Sequence, residues 1–457
     1  MTVSYTDLTA WDHAYLWHPF TQMQDWLTED PIIIVRGEGN FLIDVQGNTY
    51  LDGVSSLWCN VHGHNHPAIN AAITTQLSRI AHSTLLGLTN IPSVLLAKQL
   101  VALAPPGLTR VFYSDAGATA VEIALKMAFQ YWQLKGVPSK VKFASLIEAY
   151  HGDTLGAMGV GYSELFHRYH RPLLTEAFRL TPPHCFRFLQ GMSEADALAA
   201  AVHEARTVLS THRQEIAALI VEPLMQGAAG MWTQPAAYVR VLREITAECG
   251  ILLICDEVAT GFGRTGRMFA CEHADISPDV LCVAKGITGG YLPLAATVTS
   301  EEIFSAFLAP YEEFKTFFHG HTYTGNPLAC AAALASLAVF EQEQVLDKLT
   351  TKIVLLTERL RDDFAPLAHV ADIRQWGMMV GIELMRDPAR KISYTATEKI
   401  GMRVIKEART HGVIIRPLGN VIVLMPPLSI SLKELTLLLD VVRAAIVTVT
   451  ENTCAAS

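Results

Sequence analysis

The sequence predicts an α/β fold: a mostly parallel sheet with flanking helices, plus a smaller α+β domain. Three observations carry this expectation. EIAALIVEP, GILLICDEV and DVLCVAK are short apolar runs without alternation, the mark of strands buried on both faces. Their spacing of about thirty residues leaves room for crossovers, which parallel neighbours require. Between the first two lies AAYVRVLREITAECG, with the apolar period of a helix.

The other elements follow in chain order. IIIVRGEGNFLIDVQGNTYLDGVSS alternates β-formers with Gly-Glu-Gly-Asn and Gln-Gly-Asn turn signals, which predicts an antiparallel meander. PAINAAITTQLSRIA and IPSVLLAKQLVALA carry helical periodicity, RVFYS reads as a strand, and ATAVEIALKMAFQYWQL as a long helix. After NPLACAAALASLAVF the texture changes. A long helix through VLDKLTTKIVLLTERLRDDF leads to the short strands DIRQWG, MVGIELM, GVIIRP and VIVLMPP, then to a terminal helix. The expected organisation is an N-terminal segment of the small domain (1–66), a large α/β domain (67–330) and a C-terminal α+β domain (331–457).

Composition narrows the function. The 457 residues are 50% hydrophobic and 17% charged, with a formal net charge of −9. That balance argues against nucleic acid, whose phosphates demand a basic surface, and leaves small molecules as the expected substrates. The N-terminal stretch MTVSYTDLTAWDHAYLWHPF lacks a basic region followed by an apolar core, and no apolar run is long enough to cross a bilayer. The eight cysteines (Cys59, Cys185, Cys249, Cys255, Cys271, Cys282, Cys330 and Cys454) form no C-x-x-C pair. A cytoplasmic protein with reduced thiols is expected.

In an open parallel sheet, functional groups gather beyond the carboxyl ends of the strands. Asp256 and Glu257 follow ILLIC there, and Lys285 follows VLCVA. Singly, these read as a capping carboxylate and a loop lysine. Together they form a more demanding pattern. A desolvated lysine amine is a nucleophile that condenses with an aldehyde, and a nearby carboxylate keeps a pyridine nitrogen protonated. Pyridoxal phosphate chemistry asks for those two groups. DAGATAVEIA adds Gly117 and Ala118 at a helix N-terminus, where free N–H groups favour a phosphate. GFGRTG matches a dinucleotide fingerprint only superficially, because its acidic pair precedes the glycines and the next strand ends in Lys285. HGHNHP, with His62, His64 and His66, fits a turn better than a metal site, so no metal is expected.

These residues resemble a known family. CDEVATGFGRTG followed by VAKGITGG is similar to the class III pyridoxal-phosphate aminotransferases of fold type I. WHPFTQM, VHGHNHP, YHGDTLGAMG, FACEHADISPD, HGHTYTGNPLACAAA and IIRPLGNVIVLMPP resemble, in order, the 7,8-diaminononanoate synthases of biotin biosynthesis. The resemblance implies that Lys285 binds the cofactor aldehyde, Asp256 partners the pyridinium nitrogen, and Tyr150 packs on the ring beside His151. It implies that Gly117 and Ala118 hold the phosphate. Thr322, with Gly320 and His321, matches a segment that reaches the phosphate from the second subunit of a homodimer. Arg416 matches the arginine that receives the carboxylate of 8-amino-7-oxononanoate, and Arg264 is expected either in the same cleft or in a structural salt bridge.

Two departures concern the amino donor. Members using S-adenosylmethionine typically carry tyrosine in WHPY and a Trp-Trp pair, where this chain has Phe20 and Leu57–Trp58. WHPFTQM, IAHSTLLG, KGITGGYLP and KTFFHGHTYTGN look more like a branch that uses lysine. The expected reaction is amino transfer to 8-amino-7-oxononanoate, with S-adenosylmethionine or lysine as donor. Rival readings are another class III ω-amine transaminase with a 2-oxoacid, a nucleotide-dependent oxidoreductase using GFGRTG, and a non-catalytic binding protein.

Overall fold

The structure, a computed structural model, describes residues 3–451. An N-terminal ribbon holds β1 (Ile34–Glu38), β2 (Phe41–Asp44) and β3 (Thr49–Asp52), paired antiparallel as their turn signals predict. The central sheet then takes β4 (Leu108–Ser114), β5 (Lys142–Leu146), β6 (Phe178–Leu180) and β7 (Ile216–Val221). A small hairpin, β8 (Met225–Gln226) and β9 (Trp232–Thr233), precedes β10 (Leu252–Asp256), β11 (Val280–Val283) and β12 (Ala295–Ser300). The seven-stranded order is β4-β12-β11-β10-β7-β5-β6.

Strands β11, β10, β7, β5 and β6 pair parallel, so the expected sheet is present. Strand β12 is the exception. It runs antiparallel between β11 and β4, because residues 284–294 form turns rather than a crossover. Every residue of β7, β10 and β11 is buried. The helix Gly117–Leu134 covers one face, where Val121, Ala124 and Ala128 join Ile220, Ile254 and Cys282 in one apolar cluster. Its start lies close to the sheet: a Cβ on Gly117 would fall 2.5 Å from Val258 Cγ1.

The C-terminal sheet holds β13 (Val370–Trp376), β14 (Met379–Asp387), β15 (Ile392–Ser393), β17 (Arg416–Leu418) and β18 (Val421–Leu424). The stretch GVIIRP, expected as one strand, divides. Its first part, β16 (Val413–Ile414), pairs parallel with β3, and β17 pairs antiparallel with β18. Buried Ile415 is the crossing point between the two sheets.

The described cysteines are free thiols, and Cys454 lies outside the described residues. No helix among the described residues is long and apolar enough to cross a membrane. His62, His64 and His66 go to different partners: Ser336, Asp52 and Glu343.

Neighbours at a strand end point to opposite faces, and this separates Asp256 from Glu257. Fully buried Glu257 turns away from the site and accepts Ala270 N–H at 2.7 Å, Cys271 N–H at 2.8 Å and the Thr260 hydroxyl at 3.0 Å. Each buried donor left without an acceptor costs about 1–3 kcal/mol. Glu257→Ala is therefore expected to lower unfolding free energy by at least about 2 kcal/mol in urea titrations; a loss below about 0.5 kcal/mol would contradict this assignment.

Candidate active site

A cavity of about 830 Å³ opens at the carboxyl ends of β7, β10 and β11. Lys285, Asp256, Tyr150, His151, Gly117, Ala118, Leu57 and Trp58, all expected from sequence, line it. Parallel pairing of Asp256 with Cys282 places Lys285, three residues further on, at the same edge of the sheet.

Lys285 sits in the left-handed region at φ 43°, a conformation costly for a side chain with a Cβ and found where surrounding structure enforces it. Its Nζ lies 5.1 Å from the centroid of the Trp58 ring. Burial draws the amine below the ordinary lysine range, although the nearby Asp256 and Glu222 carboxylates pull the other way. Trp58 belongs to a turn in which Ser55, Ser56 and Trp58 all have positive φ. That turn presents Leu57 and Trp58 to the cavity.

Asp256 is held at both oxygens. Its Oδ1 accepts Val258 N–H at 3.1 Å, and its Oδ2 lies 2.8 Å from His151 Nδ1. A carboxylate only accepts, so His151 carries its proton on Nδ1. Opposite, the helix Gly117–Leu134 begins at Ala116, which has no side-chain acceptor to satisfy the first-turn amides. Those N–H groups are a seat for an anion. Gly152, at φ 116°, gives the YHGD turn its close approach; a Cβ there would fall 2.3 Å from Ala118 Cβ.

The sequence reasoning passed over Glu222, at the carboxyl end of EIAALIVE. The rule that exposed Asp256 and Lys285, a charge ending an apolar strand, marks this residue too. Glu222 accepts Tyr150 N–H at 3.1 Å and Gly227 N–H at 2.9 Å, joining the Tyr150 turn to the β8–β9 hairpin. Burial chiefly, with help from Asp256, pushes its carboxyl up to about 7. Asp153 and Phe166 were missed as well. Asp153 accepts the Tyr150 hydroxyl at 2.8 Å, and Phe166 stands edge-on to both Tyr150 and Phe20.

The remaining expected residues lie outside the cavity lining. Phe20 is exposed and reaches the rim only through Phe166. Arg264, expected in the cleft, is 1% exposed and is spent on the carbonyl oxygens of Pro426 at 2.6 Å and Asn60 at 2.9 Å. It ties the 60s turn to the C-terminal unit. Arg416 is exposed at the start of β17. His321 Nδ1 lies 2.8 Å from the Asp115 carboxylate, while exposed Thr322 offers its carbonyl to His82 Nε2 at 2.9 Å, and Gly320 has open space around it. Gly289 packs against His62 and Ile69, and Gly290, itself part of the cavity lining, admits the Cys59–Asn60 backbone. A Cβ on Gly290 would fall 2.9 Å from Asn60 Cα.

The donor set fits a flat aromatic aldehyde bearing a phosphate: an amine, a fixed carboxylate, a ring wall and free helix amides share one cavity. The family described as Aminotransferase class-III matches residues 23–446. The adenosylmethionine-8-amino-7-oxononanoate aminotransferase of Geobacter sulfurreducens is 51% identical over 444 residues, 97% of this chain and 98% of its own. The solved structure of the Methanocaldococcus jannaschii enzyme of that name has a TM-score of 0.92 at 47% identity, over 97% of this chain and 99% of that one. A PLP-bound amine transaminase from an uncultivated Pseudomonas species has a TM-score of 0.90 at 36% identity, covering 95% and 99%.

Glu222 gives the ligand-free cavity a pH signature. Its carboxyl rises from the ordinary 4.5 to about 7, so the folded protein keeps a proton that the unfolded chain has lost. Its stabilising contribution is full below about 4.5 and is lost as pH rises through about 7. Urea unfolding at about pH 5 and about pH 8 is expected to show a larger fall for the native protein than for Glu222→Gln. Equal falls would refute this.

Proposed function

Because this chain belongs to the class III aminotransferase family, we propose that it performs that family's chemistry in the cavity around Lys285, with 8-amino-7-oxononanoate as amino acceptor. It is a pyridoxal-phosphate-dependent aminotransferase, and its product is 7,8-diaminononanoate, for biotin biosynthesis. The observation that carries the substrate reading is the 51% identity, over nearly the whole of both chains, to an enzyme named for that reaction.

Bound in the cavity, pyridoxal phosphate supplies an electron sink beside the carbon that bears the transferred amine. The chain's residues do the rest. Lys285, driven toward the neutral amine by desolvation, both holds the aldehyde and moves a proton through Nζ. Asp256, oriented by His151 and Val258 N–H, holds positive charge at the ring nitrogen. Gly117 and Ala118 bind the phosphate through backbone amides, and Tyr150 flanks the ring. Exposed Arg416 receives the acceptor's carboxylate, a task suited to a planar guanidinium.

S-adenosylmethionine is the amino donor in this reading, supported by the name of the relatives. Lysine is the second reading, favoured by Phe20 at the rim and by Leu57 in the lining, where adenosylmethionine users carry tyrosine and tryptophan. The enzyme works in the cytoplasm as a homodimer, with Gly320, His321 and Thr322 serving the neighbouring subunit's phosphate. Exposure of Gly320 and Thr322 supports that assignment. The division into residues 1–66 and 331–457 around 67–330 belongs to the same reading, supported by the pairing of Leu51 with Val413.

Purified protein given pyridoxal phosphate is expected to show a visible absorbance band that borohydride removes. Lys285→Ala should lose that band and at least about 10²–10⁴-fold in turnover. Absence of the band in the native protein would overturn the cofactor assignment in this cavity. Donor identity is tested by supplying 8-amino-7-oxononanoate with either S-adenosylmethionine or lysine and measuring diaminononanoate. Product with S-adenosylmethionine is expected; product with lysine alone would move the chain to the second reading.

A further inference from the structure

Behind the Tyr150 face of the cavity lies a histidine with no part in the chemistry above. His167 is 1% exposed, and its ring lies parallel to that of Tyr150 at 6.2 Å, with 16° between the planes. Its Nδ1 accepts Ser163 N–H at 3.1 Å. An accepting Nδ1 carries no proton, so the ring is neutral and its hydrogen sits on Nε2. That nitrogen is buried without a hydrogen-bond partner, and Asp153 Oδ1 faces it at 3.6 Å. A buried N–H is seldom left unpaired, and contacts of this kind tighten when a site is loaded. The other oxygen of the same carboxylate receives the Tyr150 hydroxyl at 2.8 Å. Half of the Asp153 side chain is open to solvent.

We propose that His167 is a positioning residue: its Nε2–H donates to Asp153 Oδ1 and holds the carboxylate that anchors the Tyr150 hydroxyl, fixing that ring against cofactor and substrate. The assignment deepens the aminotransferase reading of this cavity and rests on it. Hydrogen bonding points the same way: His167 foremost, then the Tyr150 hydroxyl, holds the Asp153 carboxyl below the usual carboxylate range despite partial burial.

Two isosteres separate this role from simple packing. The amide nitrogen of glutamine reaches the place of Nε2, whereas the amide of asparagine reaches only that of Nδ1. In the holoenzyme, His167→Asn is expected to lower kcat/KM for 8-amino-7-oxononanoate by about tenfold, the weight of one charge-assisted hydrogen bond, while His167→Gln stays within about threefold. Visible circular dichroism of the bound cofactor should change in His167→Asn and be restored in His167→Gln. In an Asp153→Asn background, His167→Asn should add no further loss. Equal loss in both isosteres, full activity in His167→Asn, or failure of His167→Asn to fold would each overturn the proposal, the last because asparagine keeps the Ser163 acceptor. Wild-type turnover in the same assay distinguishes failure of the substrate reading from failure of this one.

Discussion

The parallel register that sets Asp256 against Cys282 is the constraint on which the site depends. Two charged groups are brought within one cavity by a backbone ladder whose side chains are entirely apolar or sulfur-bearing up to the last position. A slip of one residue would exchange Asp256 for Glu257 at the cavity face and send the other into the apolar layer. Burial of every residue in β7, β10 and β11 makes such a slip costly. Placement of Lys285 thus depends first on the hydrophobic layers.

The cavity is rich in acids. Asp256, Glu222, Asp153 and Asp115 line it against one lysine. Four ionised carboxylates around one cavity would repel, and each is managed differently. Asp256 is fixed by His151, Asp115 lies beside His321, Asp153 takes the Tyr150 hydroxyl, and Glu222 rises toward neutrality. Two of the four therefore meet a histidine from a separate segment of chain. The site's electrostatics are a tertiary property.

That distinction explains what the sequence disclosed. The sheet, most of its strands and the Lys285–Asp256 pair were legible because apolar runs and the charges ending them are local signals. Glu222 obeyed the same rule and was equally legible. The strand β12 was harder, since its direction follows from the shortness of the turn before it rather than from its composition. Asp153, Phe166 and His167 lie in a stretch without periodicity, and their roles arise only when residues 150–167 fold back on themselves. The place of Arg264 could not be read locally, because it is buried against the carbonyls of Pro426 and Asn60, 162 and 204 positions away.

The pairing of β3 with β16 has a consequence for how the molecule comes into being. Leu51 meets Val413, a separation of 362 positions (413 − 51), so this contact waits for almost the entire chain to be synthesised. The central sheet has no such wait: its last strand ends at Ser300. Loop closure over so long a span adds entropy only slowly with length, yet its timing is set by the ribosome. The turn carrying Leu57 and Trp58 follows β3 directly and also leans on Met425, which accepts the Ser55 hydroxyl. The strands of the cavity floor are therefore all available once Ser300 has been made, whereas the Trp58 turn can be set only after the chain is nearly complete.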